Sequence, residues 1–159
     1  MKIIPCLDIE GQGVCWRVRM NFRLRQMSLQ KFIKQSQSVC YFPLSIDADQ
    51  LKQAIRVLRE HGFTGKSAQM IELPSAYFDL DQDTGTGISK IVVGMNDLTS
   101  FIFATVRNSQ WHDMESPIML DMLRDMQDKA RMKKIDFAVA GYLNASFIQK
   151  MNQMGIKCI

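Results

Sequence analysis

Two stretches decide the fold, SAQMIELPSA at residues 67–76 and KIVVGMNDLT at residues 90–99. Each joins a short apolar run, which predicts a β-strand, to a carboxylate near the point where the strand breaks. Folds that alternate strands and helices place their sites at the carboxyl ends of the strands. The two stretches therefore indicate both the sheet and a candidate site at its edge.

The rest of the chain repeats this alternation of short apolar runs and amphipathic stretches. Seven strands are predicted, at 2–9, 15–20, 39–46, 67–73, 90–94, 135–140 and 156–159. Strands separated by helices imply a parallel sheet with helical crossovers. Periodicity alone leaves two architectures open, a doubly wound sheet and a closed (β/α) barrel. The 159 residues are few for a full eight-unit barrel, which usually takes about 250.

Helix boundaries are marked by capping residues. A helix is predicted over 24–36, and a second begins at Asp47 or Asp49 and ends with His61 in its last turn and Gly62 as the left-handed stop. Ser116 and Pro117 open a third helix as cap and first-turn proline. Asn144 caps a short fourth helix that Gly155 stops.

Composition predicts one soluble, cytoplasmic domain over residues 1–159. The chain is 47% apolar and 23% charged, so it can bury a core and is not disordered by composition. A net charge of +4 permits an anionic ligand but does not single out nucleic acid or membrane. No apolar run reaches the roughly 18 residues that span a bilayer, and residues 1–5 lack the apolar core of a signal peptide.

The four cysteines argue against a zinc site or a disulfide framework. Cys6, Cys15, Cys40 and Cys158 are scattered without a C-x-x-C pair. The two histidines are 51 residues apart, at His61 and His112. Free buried thiols in a reducing compartment are the simpler interpretation.

Two carboxylates and an arginine are the candidate chemistry, and the arginine is Arg107, ten residues past Asp97. Glu72 lies in an apolar strand, which is costly unless it is paired or binds a cation, and Asp97 follows the next strand. Hard oxygen ligands from neighbouring strands suit Mg²⁺, which keeps waters and takes one or two protein carboxylates. The simpler alternative makes Asn96 and Asp97 a turn and helix cap, with Glu72 paired to an arginine.

These residues resemble the C-terminal barrel of the phosphoenolpyruvate-utilising enzymes: enzyme I of the sugar phosphotransferase system, phosphoenolpyruvate synthase and pyruvate phosphate dikinase. The resemblance rests on MIELPSA at 70–76, GMNDLT at 94–99, Arg107-Asn108, and Ser116-Pro117 before a helix. It weakens towards residues 1–36, where LDIEG at 7–11 and Trp16-Arg17 resemble two earlier strands. It implies a shortened or incomplete (β/α) TIM-type barrel of about seven parallel strands.

The resemblance also implies roles for residues of this chain. Glu72 and Asp97 would be the protein ligands of Mg²⁺, which would bridge the carboxylate and phosphate of phosphoenolpyruvate. Asn96 and Asp97 would contact the substrate. Arg107 and Arg17 would clamp the phosphoryl group as catalytic and substrate-binding residues, since a guanidinium fork matches an oxyanion.

Several family features are missing. The cysteine that the family uses as the acid for the enolate carbon is Ala140 here, and alanine has no proton to give. Pro5 stands where the family has an arginine, and Met95 where it has a threonine. The helix after Ser75-Ala76 gives way to an acidic segment at residues 79–85. The 159 residues leave no room for a phosphohistidine domain.

Two other patterns have simpler interpretations. Asp79, Asp81 and Asp83 imitate a calcium loop, but Thr84 replaces its glycine and Lys90 its glutamate, so a solvated turn is favoured. A second pattern places arginines beside aromatic side chains, as single-stranded nucleic acid would require, but their alternation favours a strand and a solvated helix instead. Its members are Arg17, Arg19, Arg23, Arg25, Trp16 and Phe22.

The candidate residues and the family resemblance lead to two functional hypotheses. One is Mg²⁺-dependent binding of phosphoenolpyruvate, pyruvate or a related keto-acid phosphate, with phosphoryl transfer if water or another residue replaces the missing acid. The other is a degenerate barrel that serves as a ligand sensor, a scaffold or a subunit of a larger phosphotransferase. Neither needs a membrane or nucleic acid. An open edge between 2–9 and 156–159 would also favour a homo-oligomer.

Overall fold

The structure is a computed structural model. It describes the backbone of residues 2–7 and 14–19, and residues 39–43, 47–81 and 86–159 in full. The predicted helix over 24–36 lies outside the described residues, as does Asp83 of the acidic segment.

Strands and helices alternate along the described chain from the third strand onward. The strands are β1 Lys2–Leu7, β2 Val14–Arg19, β3 Cys40–Phe42, β4 Ser67–Ile71, β5 Lys90–Gly94, β6 Asp136–Ala140 and β7 Lys157–Cys158. The helices are α1 Ala48–Glu60, α2 Pro74–Phe78, α3 Met95–Ile102, α4 Pro117–Met132 and α5 Ala145–Gln153, with a 3₁₀ turn over Asp79–Asp81.

The strands form one sheet in chain order, from β1 at one edge to β7 at the other. Every neighbouring pair from β2 to β7 is parallel, as predicted. The β1–β2 pair is antiparallel, with Lys2 opposite Arg19 and Leu7 opposite Val14. Only residues 8–13 connect these two strands, and so short a connection suits an antiparallel pair, whereas a parallel crossover takes a dozen residues or more.

All seven predicted strands are present, with shorter bounds at several ends. β3 ends at Phe42 rather than at residue 46, and β4 ends at Ile71, so Glu72 follows the strand instead of lying inside it. Two short helices were missed. The helix that was expected to give way to an acidic segment after Ser75-Ala76 is present as α2 before that segment. The segment after β5, for which a turn and cap was the simpler alternative, is the two-turn helix α3.

The predicted helix caps are confirmed. The side chains of Asp47 and Asn144 accept from the backbone N–H groups of Gln50 and Phe147, each over 2.8 Å. Ser116 caps α4 by accepting from the N–H of Met119 at 3.4 Å. Gly62 and Gly155 follow their helices with φ of 89° and 68°, the left-handed conformation in which glycine avoids a Cβ penalty.

The central strands have two different faces because successive side chains of a strand point in opposite directions. The odd-numbered residues Ile71, Ile91, Val93 and Val139 join the apolar core with buried residues of the helices, such as Leu98, Leu123 and Phe147. The even-numbered residues Met70, Gly94 and Ala140 line a cavity on the other face. The sheet therefore uses one face for stability and leaves the carboxyl ends of the other for a site.

Candidate functional site

A cavity of about 340 Å³ opens at the carboxyl ends of β4, β5 and β6. Its described lining combines polar and charged side chains with small or apolar ones. These residues are Met70, Glu72, Gly94, Asn96, Asp97, Arg107, Ala140, Gly141, Tyr142 and Ile159. Four residues predicted for the site, Glu72, Asn96, Asp97 and Arg107, thus lie together.

Glu72 is the buried acid of this cavity. It directly follows β4 and is 3% exposed, so its carboxylate has lost most of its contact with water. It lies against the backbone of β5, where a Cβ on Gly94 would come within 2.5 Å of its Cγ and 3.0 Å of its Oε1. The missing side chain at Gly94 therefore makes the space that Glu72 occupies.

Asn96 and Asp97 lie in the first turn of α3, directly after β5. A carboxylate in this position is favoured by the partial positive charge at a helix N-terminus. The Nη2 of Arg107 pairs with the Oδ1 of Asp97, although the two residues are ten apart in the chain. The Asp97 carboxylate raises the pKa of Arg107 through this bond and its charge, and the charge of Glu72 acts in the same direction.

Asn96 is held from two sides by residues that the sequence analysis missed as site residues. The Nε2–H of His112 donates to its backbone carbonyl oxygen over 3.0 Å. On the other side is Gly141, at φ 149°, where a Cβ would lie 2.9 Å from the Asn96 side-chain Nδ2. Gly141, directly after β6, was the sequence signal for a close approach between that loop and Asn96. The spacing of His112 gave no indication that it would contact α3.

The donor set fits a small, hard cation. Glu72 and Asp97 supply carboxylate oxygens from neighbouring strand ends, and Mg²⁺ commonly takes one or two such ligands and completes its shell with water and substrate oxygens. Within the described residues, no group of three or more His, Cys, Asp or Glu side chains is placed to hold a metal ion. Two carboxylates suit Mg²⁺ better than a metal that requires a full protein cage.

Arg17 is not placed at the cavity by the described structure. Its backbone lies in β2, opposite Tyr41 of β3, and its side chain is outside the described part. Its assignment to the phosphoryl group stays a prediction.

The acidic segment has structural partners. Asp79 accepts from the backbone N–H of Ala48, and Asp81 pairs with Lys129 at 3.0 Å. These contacts tie the 3₁₀ turn to α1 and α4. They give both carboxylates a role without calcium.

The side chains of two of the four cysteines, Cys40 and Cys158, are described, and both are free thiols. Burial raises the pKa of the Cys40 thiol to about 12, which makes it a poor nucleophile. Across the described residues, no helix is both long and apolar enough to cross a membrane.

Comparison with solved structures supports the fold. The chain resembles an HpcH/HpaI aldolase from Desulfitobacterium hafniense with a TM-score of 0.66 at 12% identity, over 93% of this chain and 64% of that one. It resembles an aldolase/citrate lyase family protein from Burkholderia cenocepacia with a TM-score of 0.66 at 11% identity, over 85% and 62% of the two chains. A third likeness is to the citrate synthase SbnG, with a TM-score of 0.62 at 13% identity, over 90% and 62%.

These likenesses confirm the predicted class, a shortened (β/α) barrel-type fold, and they bear on the fold alone. The chain spans less than two thirds of the length of each of these three proteins. No curated protein sequence matches it. A family model does match, the one described as PEP-utilising enzyme, PEP-binding domain. Since that match runs over residues 5–159, nearly the whole chain, the protein belongs to the PEP-binding domain family of the PEP-utilising enzymes.

Proposed function

We propose that this protein binds phosphoenolpyruvate, pyruvate or a related keto-acid phosphate in the cavity, with Mg²⁺. The observation that carries the proposal is the meeting of four residues in the cavity: Glu72 after β4, Asn96 and Asp97 after β5, and Arg107 in the segment after α3. Two carboxylates would repel each other in an empty site, and a divalent cation would relieve that repulsion. A phosphate or carboxylate ligand would in turn complete the shell of the cation.

Each residue has a distinct part in this binding. Glu72 and Asp97 would hold Mg²⁺, which when bound neutralises charge on the ligand oxygens. Arg107 is half-exposed beside the cavity and offers several guanidinium N–H donors to a phosphoryl group. Asn96, fixed by His112 and Gly141, offers an amide to the ligand. Arg17 is proposed as a second arginine on the phosphoryl group.

Phosphoryl transfer is the fuller form of the proposal. Positioning and charge neutralisation carry most of the catalysis in such reactions, and this cavity supplies both. The alternative is binding without turnover, as in a sensor, a scaffold or a phosphotransferase subunit. Ala140 favours that alternative, because it lines the cavity at the end of β6 with a side chain that cannot transfer a proton.

Isothermal titration calorimetry tests the proposal. Phosphoenolpyruvate and pyruvate are titrated separately into the chain, with Mg²⁺ and again with a chelator, while phosphoryl transfer to water is followed by phosphate release. We expect binding that depends on Mg²⁺. Phosphate release would support the hypothesis of an enzyme, and saturable binding without turnover would support the hypothesis of a ligand sensor. If neither ligand binds with Mg²⁺ present, the proposed function is wrong.

Replacing Arg107 tests whether this residue binds the phosphoryl group rather than the rest of the ligand. We expect Arg107→Ala to lower the affinity for phosphoenolpyruvate by about 10- to 100-fold, the range for losing a hydrogen bond to a charged group. The affinity for pyruvate, which has no phosphoryl group, is expected to fall less. Arg107→Lys should recover only part of the loss, because an ammonium lacks the planar fork.

A matched control is available on α4. Arg124 is also exposed and also pairs with an aspartate, Asp121, but it is outside the cavity lining. Arg124→Ala should leave both affinities unchanged. Equal losses for phosphoenolpyruvate and pyruvate in Arg107→Ala would contradict the assignment of Arg107 to the phosphoryl group.

A further inference from the structure

Tyr142 lies in the loop between β6 and α5. The residue belongs to the cavity lining and is 86% exposed. The preceding Gly141 has a φ of 149°, a conformation that side-chain-bearing residues rarely adopt. The chain therefore turns sharply after Ala140, and that turn brings the phenol to the cavity.

The other polar groups of the described lining are poor choices for moving a proton. Glu72 and Asp97 are the carboxylates assigned to Mg²⁺ in the proposed function, and Asp97 is also paired with Arg107. The guanidinium of Arg107 does not give up a proton in proteins, and the amide of Asn96 does not titrate. Among the described lining residues, Tyr142 alone carries a hydroxyl, a group that can donate a proton and later take one back.

Arg107 lies where it would support such a transfer. Arg107 and Tyr142 line the same cavity, so a phenolate formed there would share that cavity with a positive charge. The exposure of Tyr142 adds a second advantage, because water can return a proton to the phenolate directly. The loop after β6 thus provides the donor and a route to solvent, and the segment after α3 provides the cation.

We propose that Tyr142 transfers the proton at the carbon next to the carbonyl of a bound 2-oxo acid such as pyruvate. This inference rests on the proposed function, because it requires that ligand in the cavity. In one direction Tyr142 first gives its O–H proton to water, and the phenolate oxygen then takes a proton from the methyl group, so that the C–H bond breaks and its electron pair forms the enolate. In the other direction the O–H bond of Tyr142 breaks, the enolate carbon gains the proton, and water reprotonates the phenolate.

Hydrogen exchange at the pyruvate methyl group tests this role. The chain is incubated with saturating pyruvate and Mg²⁺ in heavy water, and loss of the methyl proton signal is followed by NMR, with affinity measured separately by calorimetry. We expect exchange by the unaltered chain, and a fall of about 100-fold or more in Tyr142→Phe with affinity retained, as removal of a general acid–base group typically produces. Tyr77→Phe is the matched control, since Tyr77 is outside the described cavity lining.

The outcomes separate this inference from the function on which it rests. If the unaltered chain does not bind pyruvate, the proposed function fails first. If it binds pyruvate without exchange, or if Tyr142→Phe exchanges at the unaltered rate, Tyr142 is not the proton-transfer residue. Loss of affinity in Tyr142→Phe would also overturn the assignment, in favour of a hydroxyl that only holds the ligand.

Discussion

Glu72→Ala and Asp97→Ala are each expected to abolish Mg²⁺-dependent binding of phosphoenolpyruvate and pyruvate. Mg²⁺ gives up its hydration reluctantly and here has only two described carboxylates to replace water, so the loss of one leaves a much weaker site. Calorimetry at concentrations that saturate the unaltered chain should show no heat beyond that of dilution. Pyruvate is included because it tests the metal without a phosphoryl group.

Both variants should stay folded, for different reasons. Glu72→Ala removes a buried carboxylate and its desolvation cost, and its space adjoins a cavity that is already open. Asp97→Ala loses a half-exposed ion pair and a favourable charge at the start of α3, each worth about 1 kcal/mol or less. Thermal unfolding checks this directly. Asp121→Ala, which removes an exposed carboxylate on α4, is the control for affinity.

Unchanged affinity in both carboxylate variants would show that these residues are not the metal ligands. A loss in Asp97→Ala alone would point instead to its pairing with Arg107. In that case Arg107→Ala and Asp97→Ala should have similar effects, because each would disrupt the same guanidinium–carboxylate pair.

Local signals account for most of what the sequence predicts about the fold. The caps at Asp47, Ser116 and Asn144 each act within three residues of chain, so they are readable without tertiary context. The short helix α3 was missed because Asn96 and Asp97 are also common in turns. The antiparallel β1–β2 pair was missed because strand direction depends on how residues 8–13 connect, which apolar periodicity does not report.

The candidate site was predictable where the chemistry lies at strand ends. Glu72, Asn96 and Asp97 follow β4 and β5, and Arg107 was singled out ten residues past Asp97 before the family resemblance implied its role. Gly94, His112 and Tyr142 escaped as site residues for a different reason. Their roles depend on distances between segments, such as the approach of His112 to Asn96, and no local pattern encodes those distances.

Gly94→Ala is the second substitution for which we expect a large effect. The backbone of Gly94, at φ −80° and ψ 87°, does not require glycine, so the effect of alanine would be steric. The new Cβ would meet Glu72 at 2.5 Å from Cγ, which is too close for any real contact. Glu72 is 3% exposed and must shift from the position in which it would meet Mg²⁺.

We expect this displacement to abolish Mg²⁺-dependent binding and to destabilise the fold by about 1–3 kcal/mol, the usual range for overpacking. Calorimetry and denaturant unfolding measure the two effects. Gly155→Ala is the control, because its φ of 68° strains alanine in open space, with no neighbouring heavy atom within 4 Å. It should lose about 1–2 kcal/mol of stability and leave affinity unchanged.

The double variant Gly94→Ala/Glu72→Ala shows whether the clash with Glu72 is the cause. With the Glu72 side chain shortened, the new methyl group has room, so most of the lost stability should return. Binding should not return, because the carboxylate is gone. Residues in direct contact are non-additive in this way, whereas independent sites add. If the two destabilisations simply add, Gly94 does not act through Glu72, and its place beside the acid has no bearing on the site.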